Sequence, residues 1–268
     1  MRVAMASVPA GPGVAANEDF LAAGPAAAVL LDGAGVSGIE SICRHGVAWY
    51  ACRLGGELIG ALARDDGQHL PTLLGEAIDR VAGAHRDTCD LGDPSSPAAT
   101  VAILRASGDR ADYLVLGDSV LVLDRRDTGP IVVEDRREVT VGRRFRAAFE
   151  AASGADRERA RGKYIDVLRA NRNQPGGFWI AKDDSRAADE AITGHCRVTD
   201  LTDVTLLSNG ASRIVDRFHA ADWPRALEIL REQGPMEIIR RVRAAERNEG
   251  VSPDDATLAH CTDLAGGG

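Results

Sequence analysis

Asp32 ends the apolar run Val29-Leu30-Leu31 and is followed at once by Gly33-Ala34-Gly35. A carboxylate at the mouth of a buried strand, with glycine behind it, leaves a charged oxygen and an open backbone carbonyl facing one point, which is how a hard cation is held. Three more segments, Asn17-Glu18-Asp19, Ser208-Asn209-Gly210 and Asp254-Asp255-Ala256-Thr257, repeat this layout of oxygen side chains beside an apolar run, and Gly117-Asp118-Ser119 follows Tyr113-Leu114-Val115-Leu116. A single Asp-Gly is an ordinary turn dipeptide. Several acids that each open or close an apolar strand carry more weight, because burying them unpartnered is costly. Together they point to cations.

The elements that must position these acids read as strands and helix pairs. Strands are expected at 2–8, 17–21 and up to Asp32, and a long helix at 37–63, with Ser37 as N-cap, Glu40 at the capping-box position and Ile39, Ile42, Val47, Tyr50, Leu54, Leu58 and Leu62 at helical spacing. A second helix follows Pro71. Residues 99–104 and 111–116, joined by Ser107-Gly108-Asp109, form an antiparallel hairpin that Val120-Leu121-Val122-Leu123 extends. The Arg- and Glu-rich stretch 143–170, anchored by Phe145, Phe149, Ile165 and Leu168, reads as a solvated helical insertion before a short strand at 178–180. A strand at 204–207, helices at 211–218, 223–231 and 236–248, and a strand at 255–261 complete the chain, with a frayed tail after 262. Arginines 240, 241, 243 and 247 are interleaved with Glu237 and Glu246 and read as a solvated face.

The 268 residues, 44% hydrophobic, suffice for one large domain, and no repeat or linker divides them. A net charge of -8 argues against nucleic acid as a partner. With no run of about 18 apolar residues and no signal peptide, no membrane association and a cytoplasmic location are expected. Five cysteines without a CxxC pair suggest buried thiols in a reducing compartment, and the six histidines show no HxH or HExxH spacing, so no zinc site is expected. Gly33-Ala34-Gly35-Val36-Ser37-Gly38 imitates a dinucleotide loop, but two helices follow it without a prompt return strand.

The ordered motifs resemble those of the metal-dependent Ser/Thr protein phosphatases of type 2C, in particular the bacterial members: Asn17-Glu18-Asp19, Asp32-Gly33-Ala34-Gly35, Ala98-Ala99-Thr100-Val101, Gly117-Asp118-Ser119, Ser208-Asn209-Gly210 and Asp254-Asp255-Ala256-Thr257. The resemblance spans about residues 3 to 262, with 125–200 as the variable flap-bearing region. It implies an α/β (α+β) four-layer αββα sandwich of two mainly antiparallel sheets covered by helices, forming a single domain over 1–262. It also implies two Mg²⁺ or Mn²⁺ ions. Asp32 would bridge them, Glu18 and the Gly33 carbonyl would complete one, Asp254 and Asn209 would serve the other, and Asp118 would contribute to a third, weaker ion. Asp32, Glu18 and Asp254 would be the catalytic set. The implied substrate is a phosphorylated protein or, alternatively, a small phosphorylated metabolite.

Three departures from that pattern bear on function. Val14 stands where the family has a phosphate-binding Arg, for which Arg44 and Arg213 are the replacements considered. Ala34 stands where many eukaryotic members place a His that protonates the leaving group. Asn209 stands where the family has Asp; a unit charge pair at about 4 Å and an effective dielectric of about 20 is worth roughly 4 kcal/mol, which predicts metal binding weaker by roughly a hundredfold or more. Three readings of Asn209 stay open: an inactivating substitution, a weak or substrate-restricted phosphatase, and a phosphatase-like module that binds a partner without cleaving.

Overall fold

The structure, a computed structural model, describes residues 1–11, 16–35, 41–64, 67–150 and 155–265. One five-stranded sheet has the order β1 (Arg2–Val8), β10 (Ala256–Thr262), β9 (Leu201–Leu207), β6 (Val120–Arg125), β7 (Gly129–Glu134). The other has the order β2 (Phe20–Ala23), β3 (Ala27–Ala34), β4 (Ala98–Ser107), β5 (Arg110–Leu116), β8 (Ile192–Arg197). All neighbours in both sheets pair antiparallel.

β3 reads as an unbroken apolar run because both its faces are buried. Val29 and Leu31 pack against α1 (Gly46–Ala63) and α2 (Leu70–His85), while Ala28 and Leu30 meet Leu206, Ala259 and Cys261 of the opposite sheet. The far face of that sheet is covered by α5 (Asn209–Asp216), α6 (Trp223–Gln233) and α7 (Pro235–Glu249) through Leu207, Leu258, Leu227, Ile239 and Val242. The four layers are therefore helices, sheet, sheet, helices, as the resemblance implied. No helix among the described residues is long and apolar enough to cross a membrane.

Several local expectations are corrected. The described part of the first long helix starts at Gly46; Ser37, Ile39 and Glu40 lie outside the described residues. The 143–170 stretch is two helices that pack together, α3 (Arg137–Glu150) and α4 (Ala155–Asn171), where one was expected. The side chains of Phe145 and Phe149 lie outside the described residues. Val141, Val167 and Leu168 pack with Ala34, Ala98, Phe178 and Ile180, so this segment docks on the end of the sheet that carries Asp32. Residues 178–180 form no strand and make only isolated bridges, Arg172 with Phe178 and Ala99 with Ala181. The edge strands β7 and β8 went unread because their apolar signal is weak: Pro130 sits at the start of β7, and β8 (Ile-Thr-Gly-His-Cys-Arg) buries little. Leu264 is buried in the core between the sheets and Asp263 pairs with Arg2, so order extends beyond residue 262.

Candidate metal centre

Antiparallel pairing brings every acid-bearing strand end to one side of the sandwich. β3 ends beside the start of β4 (Ala34 opposite Ala98), β5 ends beside β4 (Leu116 opposite Val101), and β9 ends beside the starts of β6 and β10 (Leu207 opposite Val120 and Leu258). The turn Gly117-Asp118-Ser119 crosses from one sheet to the other at that end. Gly117 has φ of 76° there, a conformation that favours glycine, and Thr100 Oγ1 lies 2.7 Å from Ser119 Oγ across the crossing.

Asn209 joins the two sheets. It is the first residue of α5, where backbone N–H groups lack helical partners, and its N–H donates to Asp32 Oδ2 at 2.8 Å. Its side-chain Nδ2 donates to Asp118 Oδ2 at 2.9 Å. Gly210 lets the start of α5 run against the chain entering β10, since a β-carbon there would lie 1.8 Å from the Asp255 carbonyl oxygen. Ser208 holds β9 to β10, donating its N–H to the Thr257 carbonyl at 2.9 Å and accepting from the Thr257 N–H at its Oγ at 3.0 Å.

The segment carrying Glu18 is fixed by a carboxylate that sequence reasoning left without a role. Asp255 accepts from the Ala10 N–H at 2.7 Å and from the Glu18 N–H at 2.6 Å. Asn17 accepts from the Asp19 N–H at 2.9 Å and donates to Ser7 Oγ at 2.8 Å. A β-carbon on Gly33 would fall 2.4 Å from the Glu18 carbonyl oxygen, so glycine is what lets the end of β3 run against the Glu18 backbone.

The electrostatics show acids crowded together. Burial raises the Asp32 carboxyl well above the ordinary range, and Asp19, Asp118 and Asp254 push it further against the opposing Asn209 N–H. Burial and then Asp255 and Asp254 raise Glu18. Burial raises Asp118, with Asp254 and Asp135 adding to it against the Asn209 side-chain hydrogen bond. Asp19 is pushed up to about 7, first by burial, and its Oδ2 is buried without a hydrogen-bond partner. Glu138, in the first turn of α3, is pushed up to about 8 by burial and then by Asp118. Sequence reading counted Asp19 in one of the acidic segments without giving it a role, and it missed Glu138. Asp254 is exposed and accepts from Arg213 Nη2, while Arg213 Nη1 donates to Glu246 at 3.2 Å. Arg213 is thus committed to two acids, Arg44 is exposed, and Val14 lies outside the described residues.

An orphaned buried carboxylate oxygen amid mutually repelling acids fits a cation site. The donors are hard oxygens that suit Mg²⁺ or Mn²⁺. The sign of the pH dependence follows. In metal-free protein the folded state keeps a proton on Asp19 that the unfolded chain, with an ordinary value of 3.8, has released, so stability falls as pH rises from 3.8 through about 7. In EDTA the melting temperature should be lower at pH 8 than at pH 5.5 by on the order of 5 °C, and Mn²⁺ should recover the loss at pH 8. A melting temperature in EDTA that is flat or rising over this interval contradicts the acid-cluster reading.

An αββα sandwich with an acidic mouth shared by both sheets defines the class: a phosphatase scaffold of the 2C type. The sequence matches the protein phosphatase 2C family over residues 15–246, and the chain belongs to that family. No curated protein matches it by sequence. Among solved structures it is similar to the Mycobacterium tuberculosis serine/threonine phosphatase PstP/Ppp (22% identity, 97% of each chain, TM-score 0.59) and to the PstP catalytic domain in complex with two manganese ions (18%, 97% of each chain, TM-score 0.56). It is also similar to the Mycobacterium smegmatis PPM Ser-Thr phosphatase MsPP in complex with cacodylate (17%, 98% of each chain, TM-score 0.57).

Proposed function

We propose that the protein is a Mg²⁺- or Mn²⁺-dependent phosphomonoesterase that removes phosphate from phosphoserine or phosphothreonine in proteins. The observation that carries this reading is the double contact of Asn209, which sets Asp32 and Asp118 of one sheet against the start of α5 on the other and closes one acidic mouth. When bound, a pair of such ions supplies positive charge for a phosphoryl oxygen and lowers the pKa of water into the range of a nucleophile. Asp32 would be shared between them. Glu18 and the Gly33 carbonyl would complete one ion, a pairing supported by the close approach of Gly33 to the Glu18 backbone, and Asp254 with the Asn209 side-chain carbonyl oxygen would serve the other. Asp118, with Glu138 nearby, would hold a third, weaker ion. Asp255, Asn17 and Ser208 would position these groups through their hydrogen bonds to the backbone. The 2C family and the manganese-bound PstP neighbour support the metal assignment.

The choice of a phosphoprotein substrate rests on the family. With Val14 in place of the phosphate-binding Arg and Arg213 held by Asp254 and Glu246, a small phosphorylated metabolite is the competing substrate. The competing class is a module that binds a phosphorylated partner without turnover, motivated by Asn209. The test is hydrolysis of para-nitrophenyl phosphate and of a phosphothreonine peptide with Mn²⁺ or with EDTA. Mn²⁺-dependent release of phosphate from both is expected. Release from the small ester alone would favour the metabolite, and no turnover by either the protein or its Asn209→Asp variant would leave the binding module.

A further inference from the structure

Cys43 and His45 sit immediately before α1, and His85 and Cys89 lie at the end of α2 and just beyond it. In sequence the pairs read Cys-x-His and His-x-x-x-Cys, far enough apart to look unrelated. The packing of α1 against α2 brings them together: one ligand atom from each residue falls within 4.8 Å of all the others. Cys43 Sγ lies 3.2 Å from Cys89 Sγ, 3.7 Å from His85 Nδ1 and 3.9 Å from His45 Nδ1, and Cys89 Sγ lies 3.3 Å from His45 Nδ1. A tetrahedron with Zn–S near 2.3 Å and Zn–N near 2.0–2.1 Å has edges of about 3.3–3.8 Å, close to these spacings of 3.2–3.9 Å.

The surroundings suit a closed site. Cys43 and His85 are 1% and 2% exposed. The His45 ring stacks on Trp49 at 4.3 Å between centroids, and Trp49 also lies 5.1 Å from His85, so an aromatic wall covers one side. The Asp90 N–H donates to the Ile42 carbonyl at 2.8 Å and Thr88 Oγ1 donates to the His85 carbonyl at 3.1 Å, which brace both ligand-bearing segments. A buried thiol, a half-buried thiol and two imidazoles crowded around one point make poor hydrogen-bond partners for one another, since a thiol is a weak donor and a weak acceptor. A disulfide would need the sulfurs at about 2.05 Å and would leave both imidazoles aimed at nothing. Thiolate and imidazole ligands select zinc, whereas the oxygen-lined mouth selects Mg²⁺ or Mn²⁺.

We infer that Cys43, His45, His85 and Cys89 bind one Zn²⁺ in a structural, four-coordinate site that staples the start of α1 to the end of α2, separate from the acidic mouth. This reading departs from the expectation of no zinc site. Among the five cysteines, Cys261 is the other buried thiol, while Cys52 is exposed.

The test is metal analysis of the full chain, purified without chelator and then washed with EDTA under mild conditions. About one zinc per chain is expected, falling at least about tenfold in Cys43→Ser/Cys89→Ser and unchanged in Asp32→Asn. Cobalt substitution of the unaltered protein should give the intense visible absorption of a tetrahedral ion with thiolate charge-transfer bands, a readout that does not depend on a variant folding. His45→Ala, which keeps both thiols, should lose zinc or shift the cobalt spectrum. Less than about a tenth of an equivalent of zinc in the unaltered protein after incubation with Zn²⁺ would overturn the proposal. So would zinc retained by the double variant, a cobalt spectrum without thiolate bands, or intact mass two hydrogens lighter under non-reducing conditions. None of these readouts depends on phosphatase activity, so failure here leaves the assignment of the mouth standing.

Discussion

Asp32→Ala should remove Mn²⁺-dependent phosphate release, with turnover falling by about a thousandfold or more, equivalent to roughly 4 kcal/mol of lost transition-state stabilisation. Asp32 is where the repulsion of Asp19, Asp118 and Asp254 converges. It is also the carboxylate that the α5 N-terminus faces. Deleting it takes away the group proposed above to be shared between two ions. The same change should leave the metal-free protein at pH 8 as stable as before or more stable, because a partly buried carboxylate held against its neighbours disappears with it. A loss of activity accompanied by a lower melting temperature in EDTA would signal general damage. Turnover within tenfold of the unaltered protein would show that Asp32 is not the shared ligand.

Asn209→Asp should move stability in opposite directions with and without metal. In the metal-free fold Asn209 Nδ2 donates to Asp118 Oδ2 at 2.9 Å. A carboxylate in its place cannot donate, and two anionic oxygens would meet where a hydrogen bond stood. The melting temperature in EDTA should therefore fall. With Mn²⁺ the added charge is attractive, and at about 4 Å with an effective dielectric of about 20 it supports tighter binding by on the order of a hundredfold. Turnover at limiting Mn²⁺ should rise by a comparable factor. Calorimetric titration and phosphate-release kinetics would read both. Unchanged Mn²⁺ affinity would mean that the side chain at 209 serves Asp118 and not an ion, and the readings built on a weakened metal site would fall with it.

The contrast between Asn209 and Asp32 shows why parts of the site could be read from the chain and parts could not. Asp32, Asp118, Asn209 and Asp254 were legible because each interrupts an apolar run at a strand end, a local pattern that burial of both strand faces imposes. The two-sheet, four-layer arrangement followed from the ordered motifs of the family. Asp255 and Asp19 stand beside legible residues, but which neighbour faces an ion and which accepts backbone N–H groups depends on the chain lying opposite. Glu138 lies just ahead of the charged stretch, in a segment to which sequence reading assigned no role, and only its burial beside Asp118 raises its carboxyl. The edge strands β7 and β8 escaped notice because a strand buried on few sides leaves little hydrophobic alternation.

By itself, then, the sequence determined the family, the layer order and the residue types at the mouth, because these are written in local runs and their order. The tertiary structure alone decided that Asn209 donates to Asp118 instead of merely replacing a carboxylate. It alone decided that Arg213 is spent on Asp254 and Glu246, and that two cysteines and two histidines distant in sequence converge between α1 and α2. Those outcomes depend on which helix ends meet across the core, and no spacing along the chain encodes a distance between elements that only their packing brings together.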